Sequence, residues 1–93
     1  GYRASTTKLS GDQGIDVLAK KGKTTIAIQT KCYRDSVGNH AIMEAVAGAK
    51  YYKADKIMVV TNSFFTKSAK ELAQVNGVIL WDRDTLKEKM EQI

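Results

Sequence analysis

The chain has 93 residues, enough for one small domain and not for two. Hydrophobic residues make up 43% and charged residues 27%, the balance of a globular protein, and no run nears the ~18 apolar residues of a membrane span. Lys and Arg number 15 against 10 Asp and Glu, and the net +5 favours an anionic partner, nucleic acid being the commonest. The single cysteine, Cys32, excludes an intrachain disulfide and a paired thiolate metal site. A cytoplasmic setting without a membrane partner is therefore expected. The chain opens with Gly1 and Tyr2 rather than Met, as expected of a processed or excised fragment.

Proline is absent, so glycine and asparagine mark the breaks. Residues 2–9, rich in threonine and small or aromatic side chains, predict a first strand, and residues 10–14 a turn. Residues 15–19 alternate, with Ile15, Val17 and Ala19 on one face and Asp16 and Leu18 on the other. A second alternating run covers residues 24–31, where Ala27, Gln29 and Lys31 share a face opposite Ile26 and Ile28. The two runs predict a β-hairpin turning through Lys20-Lys21-Gly22-Lys23. Residues 37–52 change to helical spacing, with Ile42, Val46 and Ala49 in line. The apolar run Ile57-Met58-Val59-Val60 predicts a strand buried on both faces. Residues 64–76 predict a second helix with Ala69, Leu72 and Ala73 inward, Ser68 and Glu71 as its capping box and Asn76-Gly77 as its end. Residues 78–81 predict a short strand and residues 82–92 a polar final helix. The order β-β-β-α-β-α-β-α predicts an α/β domain. Its central mixed sheet is antiparallel at its start, parallel at its end and flanked by helices.

The hairpin makes a geometric statement about chemistry. With a turn of two or four residues, Lys20 faces Lys23 and Asp16 faces Ala27. Gln29 is then a diagonal neighbour of Asp16 at roughly 7–8 Å, with Lys31 one step further. An odd-length turn would move Asp16 to the other face unless a bulge restored it. A carboxylate, an amide oxygen and an ammonium thus meet on one patch. Phosphodiester hydrolysis uses that combination: hard oxygens hold Mg²⁺, and a neighbouring lysine handles a water or stabilises phosphate charge. The plain alternative is that Gln29 and Lys31 are outward polar residues of an amphipathic strand.

The segments Gly11-Asp12-Gln13-Gly14-Ile15-Asp16-Val17 and Ile28-Gln29-Thr30-Lys31-Cys32-Tyr33 resemble the Mrr-like restriction endonuclease family of the PD-(D/E)xK nuclease superfamily. Tyr51-Tyr52-Lys53-Ala54-Asp55-Lys56, Val60-Thr61-Asn62-Ser63-Phe64-Phe65-Thr66 and Leu80-Trp81-Asp82 look like later blocks of the same family, in the same order. The resemblance implies a restriction-endonuclease-like fold and Mg²⁺-dependent cleavage of double-stranded DNA, often modified DNA, with Mn²⁺ able to substitute. It implies Asp16 as a metal ligand, a Q-x-K variant at Gln29 and Lys31, and the Thr30 carbonyl as a further ligand. It also implies a leading helix, often carrying an acidic residue, which this chain begins too late to contain. The full-length protein is expected to carry a separate DNA-recognition domain.

Asp12 and Glu44 are auxiliary candidates at the metal site, although turn propensity suits Asp12 and a helix-surface place suits Glu44 better. Lys8, Tyr33 and Arg34 are candidates for DNA phosphate contact. His40 is expected as a surface residue at a helix start, and Thr61, Ser63 and Thr66 as caps and turns. Phe64, Phe65 and Trp81 are expected in the core, and Cys32 as a buried, inert thiol. The polar last helix leaves one sheet face short of cover, so a homodimer is expected. Two rival functions remain at this level. One is a catalytically inactive nuclease-like module that binds DNA, favoured by the weaker ligand Gln29. The other is a nucleotide-binding α/β domain, disfavoured because no P-loop and no G-x-G-x-x-G after a strand is present.

Overall fold

The computed structural model describes residues 1–6 and 14–92. Among them the order is β1 (Arg3–Thr6), β2 (Val17–Lys21), β3 (Thr24–Lys31), α1 (Asn39–Tyr51), β4 (Lys56–Thr61), α2 (Lys67–Asn76), β5 (Val78–Trp81) and α3 (Arg83–Glu91). The five strands lie in one sheet in chain order. β1 and β2 pair antiparallel, as do β2 and β3, while β3 with β4 and β4 with β5 pair parallel. The α/β class, the mixed sheet and the order of elements are those read from the sequence. No helix among the described residues is long and apolar enough to cross a membrane.

Partners across a ladder share a face, so the register sorts the side chains into rows. Leu18, Ala27, Ile57 and Val78 form one row, and Gln29, Val59 and Leu80 the next, followed by Lys31 and Thr61. α1 and α2 cover this face. Small residues at helical spacing, Ala41, Ala45, Gly48 and Ala49 on α1 and Ala69 and Ala73 on α2, are buried and let the helices lie close to the sheet. Val37, Ile42, Val59 and Phe65 fill the same core. The opposite face carries Ile28, Met58 and Ile79 in one row, and α3, which buries no residue, packs against β4 and β5.

The helix ends follow local chemistry. Thr66 Oγ1 accepts the N–H of Ala69 at 3.0 Å and caps α2, so the capping box expected at Ser68 is not the one used. Gly77 closes α2 in the left-handed region at φ 67°. Asp82 caps α3 through the N–H of Thr85 at 2.9 Å. Thr61 Oγ1 donates to the Lys31 carbonyl at 2.7 Å, and Ser63 Oγ to the Asp35 carbonyl at 2.8 Å, tying the end of β4 to the loop after β3.

Three expectations are corrected here. Phe64 is exposed, because residues 64–66 run extended beside Val37, which alternates Phe64 outward and Phe65 inward, and α2 begins only at Lys67. Cys32 is exposed, because β3 ends at Lys31 and the alternation that would have buried its thiol stops there. Ile15 is buried in the core shared with Ala27 and Ala45 rather than on the face of Val17. The Asp16 N–H bonds to the Ile28 carbonyl at 2.9 Å, one residue out of step with the Val17–Ile28 pairing, and the alternation breaks there.

Candidate active site

The hairpin turn comprises two residues, Gly22 and Lys23, with Gly22 at φ 61°, a conformation that favours glycine. The register is therefore shifted by two from the expected one: Lys20 faces Thr25 and Leu18 faces Ala27. Asp16 itself stands outside the ladder, at the irregularity before Val17, and from there lines the same cleft as Gln29 and Lys31.

β2 begins at Val17, opposite Ile28, while β3 continues for three more residues past that pair. The Asp16 side chain takes over there. Its Oδ2 accepts the Thr30 N–H at 2.8 Å and the Thr30 hydroxyl at 3.1 Å. In a strand, N–H and C=O of one residue point the same way, so the Thr30 carbonyl projects from the same open edge as its N–H, toward Asp16. The second oxygen of Asp16 makes no hydrogen bond among the described residues.

Gln29 is 3% exposed, in a row otherwise occupied by Val59 and Leu80. Its Oε1 is buried without a hydrogen-bond partner among the described residues. An unsatisfied buried acceptor costs about 1–3 kcal/mol, so an amide in this apolar row is unfavourable for folding alone. Half a turn of the amide exchanges its oxygen and nitrogen at little steric cost. With Gly14, Asp16, Thr30, Lys31 and Glu44, Gln29 lines a cleft of about 170 Å³.

Lys31 and Glu44 face each other across this cleft, Nζ to Oε1 at 3.1 Å. Burial works against the charge of Lys31, but the hydrogen bond and attraction of Glu44, with a smaller contribution from Tyr33, outweigh it. They hold the ammonium above its ordinary pKa of 10.5. At neutral pH Lys31 is a cation and a hydrogen-bond donor, not a base. Glu44, expected mainly as a helix-surface acid, is thus drawn into the site. Gly14 explains how: at φ 77°, a Cβ added there would lie 2.7 Å from the Glu44 carbonyl oxygen. Only glycine permits the segment bearing Asp16 to approach α1 so closely.

At the rim, Lys31 Nζ lies 5.7 Å from the centre of the Tyr33 ring, and the Tyr33 N–H donates to Asn62 Oδ1 at 3.0 Å. Tyr33 and Arg34 are exposed, as a contact with an extended anion requires. His40 is at the exposed start of α1, 3.8 Å from Glu44 Oε1. Lys8 and Asp12 lie outside the described residues. Two larger grooves, of about 630 Å³ beside α3 and 310 Å³ between α1 and α2, lie outside this cleft and share no lining residue with it. Sequence reasoning missed Gly14 and Asn62. It also undervalued Glu44, although the spacing of Ala41, Glu44, Ala45 and Gly48 places that acid on the inward stripe of α1.

The donor chemistry suits a hard divalent cation. Among the described residues no three His, Cys, Asp or Glu side chains converge. The cleft offers oxygen instead: the Asp16 and Glu44 carboxylates, the Gln29 amide and the Thr30 carbonyl.

The Mrr_cat family, described as restriction endonuclease, matches residues 1–90. No curated protein matches the chain. Among solved structures, the protein of unknown function AF1548 superposes with a TM-score of 0.76 at 21% identity, covering 98% of this chain and 59% of its own. The DNA modification-dependent restriction endonuclease AspBHI gives 0.70 at 20% identity, covering 91% of this chain and 24% of its own. The MspJI restriction endonuclease in complex with a 27-mer oligonucleotide gives 0.67 at 23% identity, covering 92% and 22%. This chain therefore spans about a quarter or less of the two named endonucleases, and the likeness to all three concerns the fold. The family match, which runs over nearly the whole chain and takes in the cleft, places the protein in the Mrr_cat family of restriction endonucleases.

Proposed function

We propose that this chain is the catalytic domain of a metal-dependent DNA endonuclease that hydrolyses phosphodiester bonds in double-stranded DNA. The observation that carries this is Gln29. A buried amide oxygen without a partner among the described residues, in an apolar row beside Asp16 and Lys31, is unfavourable for the fold and useful for a ligand. Asp16, the Gln29 amide oxygen and the Thr30 carbonyl would hold Mg²⁺, with Mn²⁺ able to substitute. When bound, such an ion lowers the pKa of a water and neutralises charge developing on the phosphate. Asp16 is held in place by Thr30, and so needs no reorganisation to act. Lys31, already charged, donates to a phosphate oxygen or orients the attacking water. Tyr33 and Arg34, with Lys8, contact the DNA backbone, and the net charge of +5 draws it in.

The reading extends to restriction in the cytoplasm, with specificity, including any for modified bases, supplied by a separate recognition domain. AspBHI and MspJI are about four times as long as the part matched here, which leaves room for such a domain in proteins of this fold. One cleft per chain and two strands per duplex call for two copies, so the active form is a homodimer. Incubation of supercoiled plasmid with the protein tests the core of this reading. Cleavage in Mg²⁺ and none in EDTA supports it. The second reading, a DNA-binding module that does not cut, is favoured by an amide at Gln29 where a carboxylate binds metal better; binding without cleavage in either Mg²⁺ or Mn²⁺ would establish it.

A further inference from the structure

The cleft contains a buried acceptor, Gln29 Oε1, with no partner among the described residues, and an ion pair, Lys31 with Glu44. Asp16 is the carboxylate that the hairpin contributes to the cleft among the described residues, and Lys31, from the same hairpin, brings one opposite charge. The hairpin's own two charges therefore sum to zero, and such a site attracts a dication poorly, because affinity for hard cations grows with the number of anionic ligands. β3 supplies an amide at Gln29 rather than a second carboxylate. Gln29 is 3% exposed and its Oε1 has no partner among the described residues, so the amide stands there at a cost to folding.

Glu44 lines the same cleft from α1. Its backbone lies against Gly14, so the segments carrying Asp16 and Glu44 touch and the two carboxylates enter the cleft from adjacent walls. Asp16 is fixed by two hydrogen bonds, and Gln29 by burial. Glu44 is restrained less. Its side chain is 35% exposed, and its partners are Lys31 at 3.1 Å and the 89% exposed His40 at 3.8 Å. It can change rotamer without disturbing the core.

We propose that Glu44 is the second carboxylate of the cation site: it pairs with Lys31 while the cleft holds no cation and turns from Lys31 to the cation when one enters. This rests on the metal-dependent reading above. The exchange brings to the ion the second anionic oxygen that Gln29, an amide, does not supply. It also releases the Lys31 ammonium from its partner so that it can meet a phosphate oxygen. One movement thus couples cation loading to readiness for the DNA.

The test is calorimetric titration of DNA-free protein with MnCl₂, using the native chain, D16N, E44Q and the double variant Q29E/E44Q. Glu44→Gln is nearly isosteric at a partly exposed position, and far-ultraviolet circular dichroism checks its fold. D16N is expected to abolish binding. E44Q should weaken it by about tenfold or more, and Q29E/E44Q should return it to within a few-fold of native, because one carboxylate then replaces another. Titration with MgCl₂ should also shift the Lys31 side-chain resonances in the native chain, while E44Q shows a released Lys31 before any cation is added. Native affinity in E44Q, or no recovery in Q29E/E44Q, overturns the role of Glu44. If D16N abolishes binding and E44Q does not weaken it, that role alone fails. If the native chain binds no Mn²⁺, or D16N binds it equally well, the cation site itself fails.

Discussion

Oδ2 of Asp16 accepts the backbone N–H of Thr30 at 2.8 Å, so a side chain continues the ladder of β3 where its pairing with β2 stops. An asparagine at this position keeps an oxygen for the same bond and loses only the charge. Asp16→Asn should therefore melt within a few degrees of the native protein and fail to bind divalent cations. Thermal melts paired with cation titration check both halves. A large loss of stability would mean that the carboxylate serves the fold rather than the ligand.

Gly14 is the position where the site tolerates least change. Its φ of 77° is strained for any L side chain, and the atom that a Cβ would meet at 2.7 Å is backbone, which cannot swing away. Gly14→Ala should cost about 1–3 kcal/mol and reduce cleavage by moving Asp16 away from α1. Urea titration gives the first figure. An alanine variant of native stability would show that the contact is not needed.

Gln29 offers the opposite experiment. Methionine has nearly the same length and no polar group, and the row it would join contains Val59 and Leu80. Gln29→Met should be at least as stable as native, by up to about 1 kcal/mol, because it removes an unsatisfied buried acceptor. It should also lose cleavage. A destabilised Gln29→Met would mean that the amide has a structural partner.

Lys31 makes stability depend on pH in a defined direction. Its pKa in the fold lies above the ordinary 10.5, so the folded protein holds this proton more tightly than the unfolded chain does. The stabilisation is fully present below pH 10.5 and is lost as the pH rises through the folded value. Stability curves of native and Glu44→Gln protein should differ at neutral pH and converge as the pH climbs beyond 10.5. Parallel curves across that range would show that the pair adds nothing.

Much of this was legible in the residues. The alternation of residues 24–31 placed β3 and the shared face of Ala27, Gln29 and Lys31, because period-2 patterning on a half-covered sheet has one solution. The register escaped by two residues because Lys20-Lys21-Gly22-Lys23 permits more than one two-residue turn, and Gly22 at positive φ decides for Gly22-Lys23. Ile15 was misplaced because a one-residue irregularity at Asp16 leaves no mark in the pattern. Cys32 and Phe64 were misplaced at element ends, where periodicity lapses first. The pairing of Glu44 with Lys31 joins residues on different elements, and local spacing cannot show it.

Cleavage by the purified protein tests the account most directly. Supercoiled plasmid is incubated with native, Asp16→Ala and Lys31→Ala protein in Mg²⁺, in Mn²⁺ and in EDTA, with DNA affinity measured alongside. Native protein should cut in either cation and not in EDTA. Each variant should bind DNA within a few-fold of native and not cut, because cation and water handling act in the transition state while binding rests on many phosphate contacts. Cutting by native protein in EDTA, or by folded Asp16→Ala or Lys31→Ala in Mg²⁺, would contradict the account.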